Sequence, residues 1–160
     1  MHGIAGLPRS TVRVLNVNTT PVGNVGGGAD DLMTFSIPGG TLERDGDSIR
    51  VWFGGITAAN GNTKTVALSF GSQSIGNVVN GALSGGTWGG VLTVIRTGAA
   101  TQLAYFNSSD TAGNNAVTRT ATPTETLSGA VVVKVVGTSA ASADNDVVQQ
   151  FMVVELAKNV

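Results

Sequence analysis

The chain of 160 residues contains no cysteine and a single histidine, His2, beside the amino terminus. Disulfide bonds, thiolate chemistry and cysteine-based zinc sites are therefore excluded. A Ser-His-Asp triad needs an imidazole that packing holds in place, and residues this close to a terminus are rarely held. We therefore expect no catalytic residue, no metal site and no cofactor.

Charged residues are also scarce, at 12 % of the chain, and the net charge is −1. Because no basic tract could neutralise a row of phosphates, we expect no nucleic-acid partner. The longest apolar run, residues 130–136, is interrupted by Lys134 and is far shorter than the roughly 20 residues of a membrane helix, so we expect no membrane insertion. Residues 1–8 lack the charged and apolar regions of a secretory signal, and we expect synthesis in the cytoplasm without export.

Carboxylates offer the remaining catalytic chemistry. They occur in close pairs, namely Asp30 with Asp31, Asp45 with Asp47, and Asp144 with Asp146. Hydrolysis of a glycosidic bond needs two carboxylates opposed across a cleft, whereas neighbours in a turn are accounted for by Asx hydrogen bonds. The carboxylates of Asp45 and Asp47 offer oxygens to calcium, but the EF-hand spacing and the acidic ligand at its end are absent. A polysaccharide-degrading enzyme stays as a minor alternative.

Glycine, by contrast, is abundant, with 23 residues, and short runs of alternating apolar and polar residues stand between glycine-rich turns. Residues 33–37, 49–53 and 66–70 each place three apolar side chains on one face, as a half-buried strand requires. About eight to ten such runs predict an all-β protein, a single antiparallel β-sandwich of jelly-roll type. We expect long loops at Gly76–Gly90 and Ser108–Asn115.

The amino-terminal region has a different texture. Residues 18–29 read as a linker rich in glycine, threonine and asparagine. We therefore predict an N-terminal arm or docking strand over residues 1–20, followed by the β-sandwich domain over residues 21–160.

The last two strong runs, residues 130–136 and 146–156, are apolar on both faces. A strand with two apolar faces needs other protein groups packed on both faces. A small sandwich packs its second sheet on one face only and has few residues left to cover the other. This pattern predicts a homo-oligomer whose subunit interface contains Val131, Val133, Val135, Val148, Met152 and Val154. Loops that cover the second face are the alternative, and the final run is also compatible with a short helix.

Aromatic side chains suggest a second kind of surface. Trp88, in a glycine-rich loop, and Tyr105 offer ring faces to a sugar, while Asn60 and Asn62 offer hydrogen bonds to its hydroxyl groups. Trp52 is a third candidate for such stacking, but for Trp52 and Trp88 we favour packing in the core or at an interface, which is the usual role of large aromatic residues.

The central part of the chain resembles a family of small phage-encoded β-modules. The resemblance extends over about residues 22–155 and rests on turns and strand starts at Gly26–Met33, Ile37–Leu42, Asp45–Val51, Gly54, Ala58–Thr65, Phe70-Gly71, Trp88 and Ile95–Ala99. Such modules resemble jelly-roll sandwiches of phage structural proteins, both short virion proteins and tail-fibre domains. The family offers no catalytic motif, and Gly46, Gly71, Phe53 and Trp88 are interpreted as turn formers and packing residues.

This resemblance implies a non-enzymatic structural protein on the virion. We expect capsid decoration or a short head appendage, as a homotrimer that contacts other virion proteins such as the major capsid protein. The alternative is a receptor- or glycan-binding tip of a tail fibre, with a host surface glycan as its partner.

Overall fold

The fold is that of a computed structural model, which describes residues 11–111 and 117–159, with side chains for all of these except 117–119. Its strands are β1 (Val12–Asn18), β2 (Val22–Gly23), β3 (Gly28–Ile37), β4 (Ser48–Thr57), β5 (Lys64–Phe70), β6 (Gln73–Gly81), β7 (Thr87–Gly98), β8 (Thr101–Asp110), β9 (Val117–Ala121), β10 (Val131–Ser139) and β11 (Val147–Ala157). Within these ranges, no helix is long and apolar enough to cross a membrane.

The strands form two antiparallel sheets. The larger sheet has the order β1-β11-β4-β7-β8-β9, with β2 beside β11, and the smaller sheet has the order β3-β10-β5-β6. The chain passes from one sheet to the other after β2, β3, β4, β6, β9 and β10, while the β5–β6 and β7–β8 hairpins stay within one sheet. The predicted antiparallel β-sandwich of jelly-roll type is confirmed.

The core lies between the sheets and follows the predicted alternation. On β4, Val51 and Phe53 point inward while Trp52 points outward. The ring of Phe53 stacks on Phe106 of β8, with centroids 6.2 Å apart, and meets Trp88 of β7 at 6.5 Å. Because a strand turns successive side chains to opposite faces, each such run supplies one row to the core and one row to the surface.

The candidate subunit interface requires a correction. Val131, Val133, Val135, Met152 and Val154 are all buried in the core between the two sheets of a single chain, whereas Val148 is half-buried on the outside. Buried side chains are already covered and cannot meet a partner subunit. The outward apolar residues of β10 and β11 are a different set, which includes Val132, Val153 and Phe151.

A β-bulge explains why the last strand seemed apolar on both faces. The register of β11 against β4 shifts between Gln149 and Phe151. A bulge adds one residue and reverses which residues of the strand point inward. Val147 and Gln149 therefore face the core before the bulge, and Met152 and Val154 face it after the bulge.

The predicted N-terminal arm requires a second correction. Strand β1 pairs with β11 from Val12 opposite Ala157 to Asn18 opposite Met152. Most of residues 11–20 thus form an edge strand of the sandwich, so residue 20 does not mark a domain boundary. Residues 1–10, including His2, lie outside the described residues.

The two long loops are shorter than predicted. Strand β6 continues to Gly81 and β7 starts at Thr87, so only residues 82–86 connect them, and Trp88 lies in β7. Strand β8 takes in the start of the second expected loop, of which residues 112–115 lie outside the described residues. The turn-forming role of Gly46 and Gly71 is confirmed by φ values of +92° and +60°, which other residues rarely adopt.

Candidate functional site

The outer face of the larger sheet carries exposed apolar residues in a cross-strand row. Strand pairing places Val17 of β1 opposite Val153 of β11, Val153 opposite Trp52 of β4, and Trp52 opposite Val91 of β7. Asn107 of β8 lies opposite Val91 and is the polar neighbour of this apolar row. Directly opposed residues on one face of a sheet are in side-chain contact distance, so this row is a continuous stripe.

A depression of about 300 Å³ lies beside this stripe, and we call it the outer-face depression. The rings of Trp52 and Phe151 line it on one side, and its polar lining is Asn107 and Ser109 of β8. The complete lining is Trp52, Phe53, Gly54, Trp88, Gly89, Gly90, Val91, Asn107, Ser109 and Phe151. The lining contains no charged residue.

Glycine makes the depression possible. Strand pairing places Gly54 of β4 between Phe151 of β11 and Gly89 of β7. A Cβ atom on Gly54 would lie 2.8 Å from Cε1 of Phe151, so only glycine lets this ring lie across the strand. Between Phe151 and Ser109 of β8, the surface is therefore formed by the backbone of Gly54 and Gly89.

The indole of Trp52 is fixed by its neighbours on the same face. Its Nε1 lies 3.4 Å from Oε2 of Glu155, which the N–H approaches as donor. The guanidinium carbon of Arg50 lies 5.9 Å from the ring centroid, within cation–π distance. Trp52 is nevertheless 44 % exposed and Phe151 is 39 % exposed, so their rings are available to a ligand. Trp52 is therefore not a core residue, and packing of its ring at an interface with a partner stays a prediction.

Of the other two aromatic candidates, Trp88 lines the depression from the core and Tyr105 lies outside it. Trp88 is only 4 % exposed, because its ring packs on Phe53 and its Nε1 donates to the carbonyl of Ile56 at 3.1 Å. Tyr105 is 43 % exposed on the outer face, but it does not line the outer-face depression. Trp88 is thus a core residue of which only a small part lines the outer-face depression, and Tyr105 lies next to the depression.

The two candidate asparagines point into the protein. Nδ2 of Asn60 donates to Oδ1 of Asp146 at 2.7 Å, and Nδ2 of Asn62 donates to Oδ2 of Asp146 at 2.8 Å. They belong to a cluster with Lys64 and Ser139, which we call the Asp146 cluster. Their amides are occupied internally, so the structure does not place them in a sugar site.

Lys64 and Asp146 are the buried charges of this cluster. Nζ of Lys64 donates to Oδ1 of Asn60 at 2.8 Å and also reaches the carbonyl oxygens of Asn60, Asn62 and Leu83. The hydroxyl of Ser139 donates to Asp146 at 2.6 Å. The pKa of Asp146 is held below its usual value mainly by this hydrogen bond from Ser139 and next by the one from the amide of Asn60, although burial acts to raise it.

Asp47 forms a similar clamp at the other end of β4. It accepts hydrogen bonds from the backbone N–H groups of Glu43, Arg44 and Asn159 and from Nζ of Lys158, at 2.8–3.1 Å. Burial alone would raise the pKa of Asp47, but the backbone bond from Arg44, with the other three, lowers it to about 2. The carboxylate thus joins the carboxy-terminal residues to the β3–β4 loop.

The other paired carboxylates are also engaged in loops. Asp30 accepts from the N–H of Val25, and Asp144 accepts from the N–H of Gly26. Asp31 forms an ion pair with Lys134, and Asp45 forms one with Arg96. In the described ranges, no three potential metal-ligating side chains come together. These carboxylates therefore have structural partners, and none of them lines the outer-face depression.

No protein-family model matches the chain, and no curated protein matches it. Among solved structures, it is similar to the CBM2 module of the evolved Dit of Lactobacillus casei BL23 phage J-1, with 8 % identity, a TM-score of 0.47, and coverage of 95 % of this chain and 99 % of that one. It is also similar to peanut lectin bound to a nine-residue peptide, with 9 % identity, a TM-score of 0.43, and coverage of 97 % and 94 %. A protein of unknown function from Shewanella oneidensis MR-1 gives 8 % identity, a TM-score of 0.36, and coverage of 93 % and 77 %. At this level, similarity carries no inference about what the chain binds.

Proposed function

We propose that this protein is a non-enzymatic binding module that holds a neutral sugar ring in the outer-face depression. The observation that carries the proposal is the pair of exposed rings, Trp52 and Phe151, beside bare glycine backbone on an otherwise regular sheet. Exposed aromatic residues grouped around a concave surface are typical of ligand sites.

The chemistry of the depression matches a carbohydrate. A pyranose ring has apolar C–H faces and a rim of hydroxyl groups, so it needs an aromatic surface beside hydrogen-bonding groups. Trp52 and Phe151 supply the aromatic surface, and Asn107 and Ser109 supply the polar groups. Because the lining is uncharged, a neutral sugar fits better than a sialylated or uronic-acid sugar.

The carboxylates support binding without hydrolysis. Glycosidic hydrolysis by the common mechanisms uses two carboxyl groups placed across the bond that is cleaved. The depression lacks carboxyl groups in its lining, and nearby Glu155 approaches the indole of Trp52.

The setting that we infer is the surface of a bacteriophage particle, which the sequence resemblance supports. There the module would recognise a host surface glycan, as the tip of a fibre does. A second role, capsid decoration as a homotrimer on the major capsid protein, is favoured by the exposed valines of β1, Val12, Val14 and Val17. Among the described strands, β1 forms an edge of the larger sheet.

The test is binding to an array of neutral and acidic oligosaccharides, followed by titration of the best binder. We expect Trp52→Ala and Phe151→Ala each to weaken binding by tenfold or more, about 1.4 kcal/mol, because each removes one stacking surface. Tyr105→Ala is the matched control, since it deletes an exposed ring on the same sheet outside the depression. Absence of any neutral-glycan binding, or equal losses in all three variants, would overturn the proposal.

A further inference from the structure

The loop between β4 and β5 holds an Asn-Gly dipeptide in an unusual environment. Oδ1 of Asn60 accepts two hydrogen bonds, one from Nζ of Lys64 at 2.8 Å and one from the backbone N–H of Asn62 at 3.1 Å. Its Nδ2 donates to Asp146 at 2.7 Å. The side-chain amide of Asn60 therefore has a cation on its oxygen and a carboxylate on its nitrogen.

The following residue leaves the amide open to attack. Gly61 is exposed, and a Cβ atom on it would meet nothing within 4 Å. Within the described part of the chain, its backbone N–H has no hydrogen-bond partner. Gly61 thus offers an unhindered backbone nitrogen one residue after Asn60.

We propose that Asn60 is a self-modification site, where the Asp146 cluster promotes loss of the side-chain amide. The nitrogen of Gly61 attacks Cγ of Asn60, and negative charge develops on Oδ1. The Cγ–Nδ2 bond then breaks, and the proton from Gly61 leaves with Nδ2 as ammonia. Water opens the resulting succinimide to aspartate or isoaspartate at position 60.

Lys64 and Asn62 form the oxyanion hole of this reaction. Donors that already point at the atom where charge develops stabilise the transition state, most strongly in a site that excludes water. Lys64 is fully buried, and both donors are in place on Oδ1 before the attack. Asp146 accepts a hydrogen bond from Nδ2, the nitrogen that departs.

The product would loosen this end of the sandwich. A carboxylate at position 60 would face the buried carboxylate of Asp146 where an amide donor stood before. The new carboxylate would form an ion pair with Lys64, but it would lose the bond from Nδ2 to Asp146 and repel that carboxylate at hydrogen-bond distance. Modification would therefore slowly weaken the contact between the β4–β5 loop and β11.

The chain contains its own matched control. Asn80-Gly81 is the same dipeptide, at the end of β6. The side chain of Asn80 is exposed and has no hydrogen bond within the described ranges. Comparison of the two positions in urea gives the intrinsic reactivity of Asn-Gly. Comparison in the native state adds the effect of the surroundings, which for Gly81 include its pairing with Lys64.

The experiment follows both positions by peptide mapping during incubation at mildly alkaline pH, once in the native state and once in concentrated urea. In urea the two dipeptides should react at similar rates. In the native protein we expect the rate of Asn60 divided by the rate of Asn80 to be at least about tenfold higher than the same ratio in urea, because oriented donors on the developing oxyanion contribute at least this much. A native ratio equal to or below the urea ratio would overturn the proposal.

Two variants assign the mechanism. Gly61→Ala adds a methyl group in open space at a position without a positive φ, so the fold should be kept while modification of Asn60 slows. Lys64→Met should slow Asn60 about tenfold more than it changes Asn80, whose neighbour Gly81 lies opposite Lys64 on β6. If Lys64→Met does not fold, the native-to-urea comparison still decides. An unchanged Asn60 rate in folded Lys64→Met would contradict the role of the ammonium.

Discussion

At the scale of single residues, buried charges fasten the loops at both ends of the sandwich. The carboxylate of Asp47, just before β4, accepts four hydrogen bonds, and the carboxylate of Asp146, just before β11, accepts three. A buried carboxylate is costly unless its oxygens are satisfied, and here loop amides and side chains satisfy them. The loops are consequently held by groups whose charge state depends on pH.

Asp47→Asn should destabilise the protein at neutral pH. The pKa of Asp47 is lowered from 3.8 to about 2, so the ionised form favours the folded state by about 2 kcal/mol. This contribution is complete above the unfolded pKa and is lost as pH falls through the folded pKa. Urea unfolding of the native protein should therefore show a loss of stability between about pH 4 and about pH 2 that the variant lacks.

Asp45→Asn is the control for this measurement. Asp45 lies two residues away, is largely exposed and forms a surface ion pair with Arg96. Such pairs contribute less than about 1 kcal/mol, so the variant should keep the acid-dependent step. If both variants behaved alike, the clamp at Asp47 would not be the cause.

At the scale of elements, β1 decides what truncation does. It forms the edge of the larger sheet, and its half-buried Leu15 packs against the core. Deletion of residues 1–20 removes this strand and exposes the edge of β11, so we expect a loss of roughly 2–4 kcal/mol and a tendency to aggregate. Urea unfolding measures the first effect, and light scattering measures the second.

Deletion of residues 1–10 provides the comparison, because it leaves β1 in the chain. We expect this shorter truncation to unfold at nearly the same urea concentration as the complete chain. Equal stability of the longer truncation would show that β1 is dispensable and would restore the hypothesis of an independent arm.

At the scale of the whole molecule, the valines that form the core and the valines that are exposed on the surface are separate sets. Val133→Asp places a charge between the sheets and should prevent folding, with a cost above about 4 kcal/mol. Val14→Asp, at an exposed position of β1, should keep the midpoint of thermal unfolding within a few degrees of that of the unsubstituted protein. Circular dichroism measures both, and sedimentation of Val14→Asp tests whether β1 takes part in self-association. A folded Val133→Asp protein would contradict the core assignment.

The alternation of apolar residues was sufficient to predict the fold class and the strands around Val51 and Val66. These strands are short, regular and bounded by glycine turns, so local pattern and tertiary position agree. The candidate site was less predictable. Trp52 and Phe151 become neighbours of one depression only through pairing of β4 with β11, which are far apart in the chain.

The sequence by itself determined that this is an all-β chain without cysteine or a central histidine, because composition and period-two patterning need no knowledge of neighbours. The tertiary structure decided which faces are covered. Periodicity separates two faces of a strand but does not say which one meets the other sheet, and the bulge at Gln149 reverses the faces within β11. For this reason Val133 lies in the core, Trp88 is buried, and Trp52 stands on the surface.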